Sequence, residues 1–99
     1  MTNTIAATEF RRWRDAPVDQ REQVARHQLS SHSKIGGRLF PDLSGENRLD
    51  VVLPCGKPLR DCTADDLREM ADWLCDLVRA SRTQADAVVL RSSVGDLRI

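Results

Sequence analysis

Residues 48–81, RLDVVLPCGKPLRDCTADDLREMADWLCDLVRAS, hold the strongest local signals in this chain. Leu49, Val51 and Leu53 alternate with Asp50 and Val52, the period of a strand with one buried face. Pro54 presets φ for the first corner of a turn, and Gly56 accepts the positive φ that closes one. Such a reversal lays residues 57–62 back beside the strand. Pro58 lacks an N–H, so the pair suits only a sheet edge. The segment therefore reads as a small β-hairpin.

A helix follows it. The Thr63 hydroxyl can accept from the free N–H groups of a first helical turn, and Asp66, three residues on, completes the spacing of a capping box. Asp65 and Asp66 fall where the positive end of the helix dipole favours anions. Leu67, Met70, Ala71, Leu74, Leu77 and Val78 then repeat at i, i+3, i+4 and i+7, with Trp73 and Cys75 at the edges of the stripe. Asp65, Arg68, Glu69, Asp72, Asp76 and Arg79 occupy the opposite side. The spacing predicts a long amphipathic helix that buries the apolar stripe.

Moving outward, residues 1–7 read as frayed. Thr8 is placed to cap a short helix through Asp15, with Phe10 and Trp13 on one side and Arg11, Arg12 and Arg14 around them. Pro17 opens a second helix to about Ser31, where its missing N–H costs nothing. Val18, Val24, Ala25 and Leu29 give that helix a thin stripe, interrupted by Arg21, Glu22 and Gln28. Gly36 and Gly37 break it, and residues 38–47 read as a loop with Leu39, Phe40 and Leu43 tucked onto the core. For residues 83–94 the capping spacing of Thr83 and Asp86 and the stop at Gly95 favour helix. The run Ala87-Val88-Val89-Leu90 also suits a strand. The expected fold is α+β and mostly helical: a small β-hairpin followed by a long amphipathic helix, with N-terminal helices packed on it. Residues 1–99 form a single domain.

Ninety-nine residues support one domain with one modest core. Fifteen basic and fifteen acidic residues leave the chain neutral, so it has no general attraction to nucleic acid or anionic lipid. Locally the balance breaks: residues 11–38 carry a net +4 and residues 61–76 a net −5. The rings are few, with two Phe, two Trp and no tyrosine, which is a poor outfit for stacking bases. Three cysteines without framework spacing read as reduced thiols in a cytoplasmic, bacterial-host setting. The N-terminus carries no signal-peptide pattern, and no run approaches the ~20 apolar residues of a membrane span. Thirteen arginines against two lysines suggest a GC-rich coding sequence, hence a bacterium or its phage.

Few residues suggest chemistry. The available metal ligands are His27, His32, Cys55, Cys62 and Cys75. The gaps of six and twelve residues between the cysteines miss the close pairing of zinc sites, so no metal or cofactor is expected. Nothing in the sequence sets a histidine beside Cys55 as a base, and helical spacing spreads the acids over a solvated face. No glycine-rich phosphate loop or G-x-S-x-G elbow is present, so the chain reads as a non-enzyme. Two surfaces remain. Asp65, Glu69, Asp72 and Asp76 cluster on one helix face and could meet a basic groove, with Trp73 as the anchor of a competing apolar mode. Arg11, Arg12 and Arg14 beside Trp13 could grip phosphates and stack on a base, although the same pattern describes a helix docking its rings on the core.

The segment LPCGKPLRDCTADDL, residues 53–67, resembles a strand–turn–helix pattern, LP-x-GK-x-L-x-x-x-T-x-x-x-L, of small uncharacterised phage and prophage proteins. The resemblance implies a mobile-element accessory protein, a class in which anti-defence inhibitors, anti-CRISPR proteins among them, are common. The expected function is accordingly non-enzymatic: binding a larger host protein or nucleoprotein complex, with no membrane association and with a homodimer left open. The alternative is a nucleic-acid-binding regulator that uses the basic N-terminal helices.

Overall fold

In the computed structural model, which describes residues 4–31, 41, 43, 45–81, 88, 91 and 94, the capping residues act as their spacing requires. Thr63 Oγ1 accepts from the Asp66 N–H at 3.2 Å, and Asp66 Oδ2 accepts from the Thr63 N–H at 3.0 Å. Both arms of the capping box are closed, and they start α3, Ala64–Ala80. The predicted stripe is buried: Met70, Leu74 and Leu77 are 0% exposed, as is Trp73, expected only at its edge, and Leu67, Ala71 and Val78 are half-buried. Each fully buried side chain of this size contributes about 1.5–3 kcal/mol of transfer free energy, which is what seats α3 at the centre.

Two helices pack against it. α1, Thr4–Asp15, begins ahead of the expected Thr8 cap, so residues 4–7 are helical and not frayed. Ala6 explains the earlier start. It is a strong helix former, and at i−4 and i−7 from Phe10 and Trp13 it shares their buried face. Phe10 lies on Trp73 with ring centroids 5.4 Å apart, and Trp13 is 2% exposed. Pro17 leads into a 3-10 turn, Val18–Gln20, which runs on into α2, Arg21–Ser31. Val18 stands exposed outside the stripe, whereas Ala25 and Leu29 are buried.

The α1–α2 corner is fixed by Arg21. Its Nη2 donates to the Arg14 carbonyl at 2.8 Å and its Nε to the Ala16 carbonyl at 3.3 Å, satisfying acceptors that the end of α1 leaves open. The same guanidinium lies 4.7 Å over the Trp13 ring, a cation–π contact that also seals the edge of the core.

Gln28 does more than interrupt an apolar stripe. It is 1% exposed, and its amide reaches both other helices. Nε2 donates to the Glu9 carbonyl of α1 at 2.6 Å, while Oε1 accepts from the Trp73 indole of α3 at 2.9 Å. A buried amide is stable only when paired, and this one is paired in two directions.

The α+β expectation is corrected here. Among the described residues there is no strand or sheet, and the fold is all-helical. Leu49 lies in a 3-10 turn, Arg48–Asp50, and a second, Leu59–Asp61, follows Pro58. Between them stands one isolated antiparallel bridge, Val52 with Pro58. The reversal itself forms: Gly56 takes φ 90°, its N–H donates to the Leu53 carbonyl at 2.8 Å, and the Leu53 N–H donates to Lys57 at 2.9 Å. One more rung forms, the Leu59 N–H donating to the Val51 carbonyl at 3.1 Å, and the ladder stops there because the Asp50 and Val51 amides are used inside their own turn, on the Asn47 and Arg48 carbonyls. An Arg60–Asp50 ion pair and an Arg60 Nε bond to the Leu49 carbonyl at 3.4 Å tie the two turns together instead.

Leu43, Leu53 and Leu59 from the connecting segment close the core, and Val94 joins it. Val88, Arg91 and Val94 are helical. The rest of residues 82–99, with His32, Gly36, Gly37, Leu39 and Phe40, lies outside the described residues. Among the described residues no helix is long and apolar enough to cross a membrane.

Candidate functional site

Because the apolar stripe of α3 locks that helix into the core, its opposite side must face outward. Asp65, Glu69 and Asp72 are all exposed there, and none has a hydrogen-bond or ion-pair partner among the described residues. They lie within about 60° of helix circumference and about 10 Å of axis.

Asp76, the fourth acid of the expected face, behaves differently. Its side chain is only 17% exposed. Oδ2 accepts from the Trp13 indole of α1 at 2.9 Å, and Oδ1 stands 3.7 Å from Arg79. Asp76 is thus a structural acceptor that pins α1 to α3. Asp66 is likewise engaged, by the capping box and by Lys57 Nζ at 3.0 Å. The Thr63 N–H bond first, and the Lys57 bond second, hold the Asp66 carboxyl below its ordinary value of 3.8. The same pairing with Asp66 raises Lys57.

The basic surface splits in the same way. Trp13 and Trp73, at 2% and 0% exposure, are core rings with both indole N–H groups already bonded, so neither presents a face to a base or a partner. Arg11, Arg12 and Arg14 remain exposed. Arg12 stands 3.7 Å from Glu9, and Arg14 pairs with Asp15 at 3.8 Å while its guanidinium lies 5.6 Å over Phe10. Thr8, Arg11, Arg12, Asp15 and Ala16 line a shallow depression on α1. A hollow floored by one helix is too open to exclude water from a reaction.

The cysteines hold the least expected geometry. The turn at Pro54 and Gly56 folds Cys62 back onto Cys55, with the two Sγ atoms 3.7 Å apart. Cys62 Sγ also donates to the Pro58 carbonyl at 3.4 Å. Burial first, and the Cys55 contact second, push the Cys62 thiol up to about 12 even though the nearby Lys57 ammonium pulls the other way, so the group is protonated near neutral pH. Cys55 Sγ, Cys62 Sγ and an Asp66 carboxylate oxygen all lie within 4.8 Å of one another. The sequence spacing hid this trio, and the turn is the one signal that could have found it. Cys75 is half-buried on α3, and His27 is exposed on α2. Comparison with protein-family models, curated proteins and solved structures finds no match to this chain.

Proposed function

We propose that this protein is a small non-enzymatic binding protein that seats the acidic face of α3 in a basic groove of a larger protein or nucleoprotein complex. The observation that carries the reading is the state of Asp65, Glu69 and Asp72: exposed, adjacent and unpaired among the described residues. Like charges one helical turn apart destabilise a helix by about 0.2–0.5 kcal/mol per pair, a strain that a cationic partner relieves. The face narrows to these three, because Asp76 is committed to Trp13. The resemblance of residues 53–67 to phage and prophage proteins supports a mobile-element setting, with inhibition of a host defence complex as the specific role.

The test is a double reversal, Glu69→Lys with Asp72→Lys, in binding kinetics against a partner recovered by affinity capture from the native host. Exposed rim charges steer encounter, so association slows and becomes less salt-sensitive, while dissociation changes little and the circular dichroism is unaltered. An unchanged association rate for the reversed protein rejects the acidic face. Tight, salt-sensitive binding of DNA or RNA, weakened by Arg11→Ala or Arg12→Ala, would replace this reading with the nucleic-acid one.

A further inference from the structure

Three ligand-type atoms meet where the turn joins α3. Cys55 Sγ, Cys62 Sγ and an oxygen of Asp66 fall within 4.8 Å of one another, and all three residues are half-buried, shielded yet reachable from solvent. The sulfurs are 3.7 Å apart. In a tetrahedral site with zinc–sulfur bonds near 2.3 Å, the sulfur–sulfur edge is about 3.8 Å. The two thiols already stand at that spacing.

The carboxylate is also positioned in advance. Asp66 Oδ2 takes the Thr63 N–H and the Lys57 ammonium, each at 3.0 Å, which fixes the group at the first turn of α3. Both bonds use one oxygen and leave Oδ1 out. Held ligands of this kind, with an outer shell of hydrogen bonds, are what a metal centre needs beyond the ligand atoms themselves. Charge points the same way. Two thiolates and a carboxylate, set against a dication and the Lys57 ammonium, leave the centre formally neutral.

We propose that Cys55, Cys62 and Asp66 form a binding site for one thiophilic divalent cation of the zinc class, with a water molecule or a partner's side chain as the fourth ligand. Two soft sulfur ligands select zinc over magnesium and calcium, which take oxygen ligands. Bound there, the cation cross-links the Pro54–Gly56 reversal to the N-terminus of α3. That link does the work of the rungs the ladder lacks, and its carboxylate ligand, Asp66, is the sequence neighbour of Asp65 on the proposed binding face. The site itself does not depend on that face being functional.

Anaerobic titration of the reduced full-length chain with Co²⁺, followed by displacement with Zn²⁺, tests the proposal. One equivalent of Co²⁺ binds and produces a thiolate-to-cobalt charge-transfer band with the intense visible bands of tetrahedral geometry, and Zn²⁺ removes both. Losing an outer-shell partner typically weakens a metal site by about 10–100-fold. Cys55→Ser, which removes a direct ligand, weakens binding by at least that much and shrinks the charge-transfer band. Cys75→Ser, outside the trio, leaves affinity unchanged, and Lys57→Met, which removes an outer-shell bond to the carboxylate, weakens it by about 10–100-fold. Circular dichroism confirms that each variant is folded. Failure of the reduced wild-type chain to take up stoichiometric Co²⁺ overturns the proposal whatever the variants do. So does uptake indifferent to Cys55→Ser, and so does a Cys55–Cys62 disulfide in a chain that binds no metal when reduced.

Discussion

Replacing Gln28 with leucine tests a buried side chain of α2 that hydrogen-bonds to both α1 and α3. The Trp73 indole N–H, in a residue 0% exposed, loses its acceptor and has no water to replace it. An orphaned buried donor costs about 1–3 kcal/mol. The Glu9 carbonyl loses the Gln28 amide, but as an interior carbonyl of α1 it keeps its i+4 partner, so its share is small. Leucine nearly fills the space, which keeps the cavity contribution low. The net expectation is about 2 kcal/mol, read as a fall in Tm of about 8–16 °C for a domain of this size. Urea unfolding followed by far-ultraviolet circular dichroism measures it without relying on the indoles. Trp73→Phe removes the donor itself, and in the double variant the orphan no longer exists. The cycle should therefore show coupling of about 1 kcal/mol. A Gln28→Leu protein within about 0.5 kcal/mol of wild type, or strictly additive variants, refutes the claim that this amide ties the core together.

Two further outcomes follow from the acids. Asp76→Ala leaves the Trp13 indole unpaired and lowers stability by about 1–2 kcal/mol, whereas Asp72→Ala stays within about 0.5 kcal/mol, both read from urea midpoints. The folded Asp66 carboxyl titrates below its ordinary 3.8, so its stabilisation is present above the unfolded value and is lost as pH falls through the lower folded one. Asp66→Asn should thus flatten the dependence of stability on pH below about 4, measured by thermal melts across that range.

Where the sequence was legible, and where it was not, has physical reasons. α3 could be read because its cap, dipole and apolar period are all local and all agree. The hairpin could not. Alternation over five residues put Leu49, Val51 and Leu53 on one inward face, yet only Leu53 is buried while Val51 is half-buried and Leu49 exposed, because the pattern does not choose the hydrogen-bond partners of the backbone. Those amides closed 3-10 turns instead. Gln28 reads as an interruption of the apolar stripe because of its residue type, although its i+3 spacing from Ala25 places it on the buried face. The acidic face was visible as a pattern, but whether a carboxylate is free depends on what another helix brings to it. Trp13 comes from sixty-three residues away to claim Asp76. The cluster of two thiols and a carboxylate was missed for the opposite reason, since pairwise spacing says little once a turn folds the chain back on itself.

The placement of the two tryptophans has an optical consequence. With no tyrosine in the chain, near-ultraviolet absorption and emission belong almost wholly to Trp13 and Trp73. Each indole donates to a different acceptor on a different helix: Trp13, its ring beneath the Arg21 cation, to a carboxylate, and Trp73 to a neutral amide in the interior. The first chromophore stands between two opposite charges and the second beside a neutral amide, so their spectra should differ through environment alone. Loss of the α1–α3 contact and loss of the α2–α3 contact are therefore distinguishable by colour, in the unmodified protein and without an added label.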